Sequence, residues 1–236
     1  MGINAPDRIE ELMLTIPGLG SNSRDMLKAQ NVKSFMMPPR QLVAGARPET
    51  YAVTSCLEFY TNYRENYKAN LSPAFLQLIT PTAGMDAALR GLASSGTVSA
   101  AIVPYDARRI PPSASATQIY RIENFLHVVR GEDRAKQKIY QTRKALMRGN
   151  PVALTMRIPA GMRSLKGVRY WTPTTTAADE TAAFVVVGFD EDLNSFEVLG
   201  MWGDEWGHHG YMWITYDDFG RLAEDGYVLV PAGVNL

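Results

Sequence analysis

The side chains able to do thiol–imidazole chemistry in this chain are few: one cysteine, Cys56, and three histidines, His127, His208 and His209. Catalysis by a thiol needs a thiolate, an imidazole that keeps it ionised, a group that orients the imidazole, and a donor for the oxyanion. Ser55 is a residue type that caps helices, and Cys56, Tyr60, Tyr63 and Tyr67 recur at helical spacing. The pattern predicts a helix opened by Ser55-Cys56, whose N-terminus would favour a thiolate. The other reading of Cys56 is a small buried hydrophobe on a helix face. His127, in the strand-like run Phe125-Leu126-His127-Val128-Val129, reads as a satisfied histidine of the surface or core. His208 and His209 are adjacent and lack a carboxylate-rich ligand set, so no metal is expected. Gly18-Leu19-Gly20 is followed by no Gly-Lys-Ser/Thr and is no phosphate loop. No cofactor is expected.

Bulk properties narrow the field further. The chain has 236 residues, 46% of them hydrophobic, with Lys+Arg 24 against Asp+Glu 24. That balance gives no global electrostatic case for nucleic acid or an anionic membrane. No apolar run approaches the ~18 residues of a membrane span, and the first residues lack the pattern of a secretory leader. A single cysteine excludes an internal disulfide framework. The expected location is cytoplasmic or virion-associated.

The elements follow an α+β plan. Residues 1–50 read as an N-terminal arm, with a short helix around Leu12, Met13, Leu14 and Ile16. Residues 51–236 read as one domain, a helical part to about 110 and a β part beyond it. After the Cys56 helix, Ser72-Pro73 starts a second helix and Met85, Ala88, Leu89 and Leu92 mark a third. A helix over about 133–148 has its Lys and Arg outward, Lys138 among them. Strands are predicted at 151–158, 182–189, 194–199, 211–216 and 226–230. Between two of them lies Gly200-Met201-Trp202-Gly203-Asp204-Glu205-Trp206-Gly207-His208-His209-Gly210-Tyr211, a glycine-permitted loop pinned by large aromatic rings.

The frame Trp202-Gly203, Trp206-Gly207 and Gly210-Tyr211 resembles papain-like cysteine peptidases, where the motif runs Asn-Ser-Trp-Gly-x-x-Trp-Gly-x-x-Gly-Tyr. Ser55-Cys56-Leu57-Glu58-Phe59, Leu71-Ser72-Pro73, Gly84 and Pro104-Tyr105 match the helical part, especially its bacterial branch, and the resemblance covers about residues 50–231. It implies a two-lobe fold, an N-terminal helical lobe and a C-terminal antiparallel β lobe with a cleft between. It also implies a set of site positions. Cys56 falls at the nucleophile. Val187-Gly188-Phe189-Asp190 anchors a register that puts Ala182 where the family has His. Gly200 stands where it has the orienting Asn. The oxyanion Gln, six residues before the cysteine, becomes Thr50; Gln41 lies too far upstream without a large loop change.

With those positions departing from the pattern, the expectation is a catalytically inactive papain-like protein, a pseudoenzyme. It would have a structural or protein-binding role, in several copies within an assembly such as a phage virion, tail or baseplate. Its partners would be proteins, not nucleic acid or membrane. The alternative is an active cysteine peptidase using Cys56 with a non-standard base.

Overall fold

The computed structural model describes residues 27–173, 178 and 180–232. The short helix read at Leu12–Ile16 and the Gly18-Leu19-Gly20 turn lie outside the described residues. Helix α1 (Pro48–Glu65) begins with proline at its first turn, where the absent N–H breaks no intrahelical bond, and Glu49 sits there against the positive end of the dipole. Asn66, at φ 50°, ends it. Ser72 caps α2 (Pro73–Ile79) as its sequence indicates, its hydroxyl accepting from the Phe75 amide at 3.0 Å. Helix α3 (Met85–Ser94) completes the helical side.

Strand β2 (Ile122–Val129), helix α4 (Ala135–Met147) and strands β3 (Val152–Ile158), β4 (Glu180–Asp190) and β5 (Ser195–Gly200) follow in chain order. Strand β6 (Tyr211–Thr215) leads directly into α5 (Tyr216–Leu222), and β7 (Ala223–Pro231) comes last. The alternating pattern does not reveal α5; its signal is Thr215, whose hydroxyl accepts from the Asp218 amide at 3.1 Å. The antiparallel sheet has seven strands, in the order β2-β7-β3-β4-β5-β6 with β1 (Ala29–Asn31) beside β4. Strand β3 pairs with β4 up to Val152↔Val186, and β1 takes over at Asn31↔Gly188. Residues 27–47, expected as part of an arm, are therefore built into the domain, and Val32 and Met36 are buried.

Strand β4 shows why its sequence is continuously apolar: both faces are covered. Ala183, Val185 and Val187 turn toward α1 and α3, in a core with Tyr51, Cys56, Phe59 and Leu89. Ala182, Phe184 and Val186 turn the other way, toward Leu146 of α4 and Phe219 of α5. Lys138, expected on the outward face of α4, is instead buried, and its ammonium donates to the Ala223 carbonyl at 2.6 Å. Among the described residues no helix is long and apolar enough to cross a membrane.

Candidate functional site

The Trp-Gly loop folds as its composition demands. Gly203, Gly207 and Gly210 have φ of 84°, 58° and 80°, a region costly for residues with a Cβ. The rings of Trp202 and Trp206 lie 4.9 Å apart, with Phe184 at 5.4 Å from Trp202. The Trp206 indole donates to the Met162 carbonyl at 2.9 Å. A Cβ on Gly200 would stand 2.5 Å from two carbons of the Trp206 ring. Glycine at 200 is thus a packing requirement, because the indole occupies the space a side chain there would need.

A strap, Pro39–Leu42, crosses the loop. Gly203 donates to the Arg40 carbonyl at 3.0 Å, Leu42 to that of Met201 at 3.2 Å, and Gln41 pairs with Trp202 in a short antiparallel bridge. On the other side the 162–166 segment is tied down by Gly207, which donates to the Leu165 carbonyl at 2.9 Å. Between strap, loop and segment lies a cleft of about 540 Å³ lined by Pro39, Gln41, Leu42, Arg163, Lys166, Trp202 and Trp206 among others. Arg163 sits over the Trp202 ring and is paired with Glu180 at 2.6 Å. Lys166 is paired with Glu205.

The residues singled out from the sequence are not all brought together here. Cys56 does not open its helix: α1 starts at Pro48, so Cys56 lies about two turns in. It is fully buried, and burial, with the Glu58 carboxylate adding to it, pushes its thiol well above the ordinary range. Cys56 and Ala182 belong to cores on opposite faces of the sheet, so a side chain at 182 does not face this thiol. Thr50 is buried in the first turn of α1, its hydroxyl donating to the Arg47 carbonyl at 2.8 Å, and has no place in the cleft. The residues at the helix opening are Arg47 and Pro48. The Arg47 guanidinium donates to the carbonyls of Thr82 at 2.6 Å, Gln77 at 3.0 Å and Thr80 at 2.8 Å. Gln41, set aside as too far upstream, stands six residues before Arg47 and lines the cleft. The sequence conceals it because Ser55-Cys56 imitates a helix opening; Pro48 followed by Glu49 is the signal of the true one.

The histidines stay apart from Cys56. His127 Nε2 lies 2.9 Å from Asp225 Oδ1, and its ring stacks on Tyr227 at 4.3 Å. His208 and His209 are exposed on the loop rim. Among the described residues no cluster of His, Cys, Asp and Glu could hold a metal ion.

A second group of residues supports the strap from below. The Arg40 guanidinium donates to Glu58 Oε1 at 2.7 Å and to Asn70 Oδ1 at 3.0 Å, and it lies over the Tyr105 ring. Glu58 is fully buried. The same Oε1 accepts from the Leu71 amide at 2.7 Å, while Oε2 has no hydrogen-bond partner. Burial pushes this carboxyl up to about 7, against the opposing pull of Arg40.

Comparison with known structures identifies the architecture. Xylellain, a cysteine protease from Xylella fastidiosa, superposes with a TM-score of 0.70 at 18% identity, covering 87% of each chain. Bromelain from Ananas comosus, in complex with the E64 inhibitor, gives 0.69 at 17% identity over 86% of this chain and 99% of its own. Procathepsin L 3 from the larval midgut of Tenebrio molitor gives 0.70 at 16%, over 94% and 78%. The fold is the papain-like fold. Residues 82–227, more than half of the chain, match the papain family cysteine proteases, and the chain belongs to that family. No curated protein matches the sequence.

Family membership corrects the expectation of a pseudoenzyme. The matching family is one of proteases, and so are the solved structures the chain resembles. The departures at Ala182 and Gly200 do not by themselves show inactivity. The matched stretch begins at residue 82, after α1, so the strap and the helix opening lie outside it.

Proposed function

We propose that the protein recognises an extended segment of a protein partner in the cleft beside the Trp-Gly loop. The observation that carries this reading is the cleft of about 540 Å³, walled by the partly exposed Trp202 on one side and by the strap bearing Gln41 on another. The exposed part of the Trp202 ring supplies apolar contact area to a polypeptide, and a side-chain amide can both donate to and accept from a passing backbone. The even charge balance supports protein over nucleic acid as the partner. Gln41 takes the place the resemblance reserves for the oxyanion donor, in preference to Thr50. Cys56 contributes core volume.

A library of immobilised extended peptides, scored for both capture and cleavage, tests this. Peptides should be captured by the wild type, lost with Trp202→Ala and weakened with Gln41→Ala, and retained with Cys56→Ser. Capture that survives both cleft substitutions would remove the cleft from the reading. Cleavage abolished by Cys56→Ser would overturn the structural role given to that thiol.

A further inference from the structure

The Glu58 carboxylate lies fully buried and bonded to Arg40, the strap residue next to Gln41 of the cleft lining. We infer that Glu58 is a positioning residue: acting through Arg40, it pins the strap that carries Gln41, and protonation of its carboxylate loosens that strap.

The geometry runs in one line. Glu58 on α1 holds the Arg40 guanidinium, and the Arg40 backbone carbonyl holds the Gly203 amide of the Trp-Gly loop. Gln41, the next residue, pairs with Trp202. Arg40 thus joins the helical side of the molecule to the loop in the β part, and Gln41 sits on that connection. The groups facing Glu58 are Arg40 from the strap, the Leu71 amide ahead of α2, Tyr105 from its loop, and Cys56 on α1 itself. Burial raises both the Tyr105 hydroxyl and the Cys56 thiol, so each faces Glu58 as a neutral group. Arg40 is the opposite charge in contact, and its side chain is only 14% exposed. Ionised Glu58 gives that guanidinium a counter-charge in a place poor in water. Protonated Glu58 leaves it facing a neutral acid, with solvent the better surrounding, and the strap follows Arg40.

The sign of the pH effect separates this device from ordinary acid unfolding. The carboxyl titrates higher in the fold, near 7, than its ordinary 4.5, so Glu58 makes the fold more stable as pH falls through that window. Strap order, in contrast, falls over the same window. Acid unfolding would lower both together.

The test is amide hydrogen exchange at Leu42 and Gly203, corrected for the intrinsic pH dependence, with urea midpoints measured alongside from about pH 8 to about pH 5.5. Wild-type exchange should quicken on the order of tenfold with a midpoint near 7, while the difference in urea midpoint between wild type and Glu58→Gln moves in the wild type's favour. In Glu58→Gln both amides should exchange fast at every pH. If that variant does not fold, Arg40→Gln should give the same flat, fast profile. Unchanging wild-type protection overturns the inference, and so does a Glu58→Gln profile that keeps the wild-type midpoint. The inference rests on the cleft reading only for its effect on peptide capture: affinity should weaken in step with exchange. An exchange profile as expected with no capture at any pH would sink the cleft reading and leave the positioning role standing.

Discussion

The Trp-Gly loop lines the cleft while the opening of α1 lies outside its lining, and the two are specified in different ways. In the loop, conformation is written into single residues. Gly203, Gly207 and Gly210 adopt backbone angles few other residues accept, and Gly200 lies under the Trp206 ring. At the helix opening nothing so rigid fixes the start. Residues Thr50 to Asn62 are buried without a break, so amphipathic periodicity cannot mark where the helix begins. Burial against the sheet keeps Tyr51, Val53 and Thr54 helical despite middling intrinsic propensity. A region held by local sterics should fail abruptly on one substitution, and a region held by tertiary contacts should fail by degrees.

The sharpest break is Gly200→Ala. Its Cβ would meet the Trp206 ring at 2.5 Å, and that indole is fixed by its bond to Met162 and by Trp202. Overpacking at a site with so little slack should cost roughly 3 kcal/mol, read from urea unfolding with an unchanged slope. A loss under about 1 kcal/mol would mean that the ring can swing aside and that the loop is less rigid than its contacts imply.

The matching test at the helix opening is Arg47→Ala. Three carbonyls, of Gln77, Thr80 and Thr82, lose their donor together. Partial solvent access offsets part of that, so the expected loss is about 2 kcal/mol. Arg47→Lys should recover only part, because an ammonium cannot reproduce the planar fork. Full recovery would assign the effect to charge and leave geometry out of it.

Much of the fold was legible because its signals are local. Ser72-Pro73 caps α2 as read, and Val152–Ile158 and the apolar run of β4 are strands. The site was legible only on its loop side. Cys56 carries the right residue type after Ser55, but Ser55 lies mid-helix, so no N-cap forms there. A helix start placed about two turns late made Thr50 the oxyanion position and left Gln41 out of reach. Arg40 and Glu58 were not visible at all, since 18 residues separate them and only the tertiary fold brings a buried acid under the strap. Lys138 failed for a related reason: the periodicity puts it outward, but α5, which the alternating pattern does not show, packs against α4 and covers it.

Cys56 lets the two kinds of region be compared at a single atom. A thiol enclosed in the core with Val53, Tyr60 and Val185 should react with iodoacetamide only as fast as the protein opens. Cys56→Ser should cost about 1–2 kcal/mol by placing a hydroxyl where no partner waits, and Cys56→Ala should cost less. Fast alkylation in the folded protein, with an apparent pKa below neutrality, would put the thiol in an ion pair and contradict its placement among apolar side chains.

The smallest expected effect is at the rim of the cleft. Lys166 and Glu205 form an ion pair, but their side chains are 68% and 79% exposed, so water and salt screen the attraction. What holds this segment is backbone and ring: Gly207 donates to the Leu165 carbonyl, and the Trp206 indole to that of Met162. Lys166→Ala should therefore leave the urea midpoint where it was, at low and high salt alike. The same substitution removes a cation from the cleft lining, so any change it makes should appear in peptide capture, as a lost preference for acidic residues near the Trp-Gly loop. A drop in stability instead would show that the exposed pair, and not the loop's own packing, sets the position of this wall. The contrast between a rigid loop and a tertiary-held helix opening would then lose its firmer half.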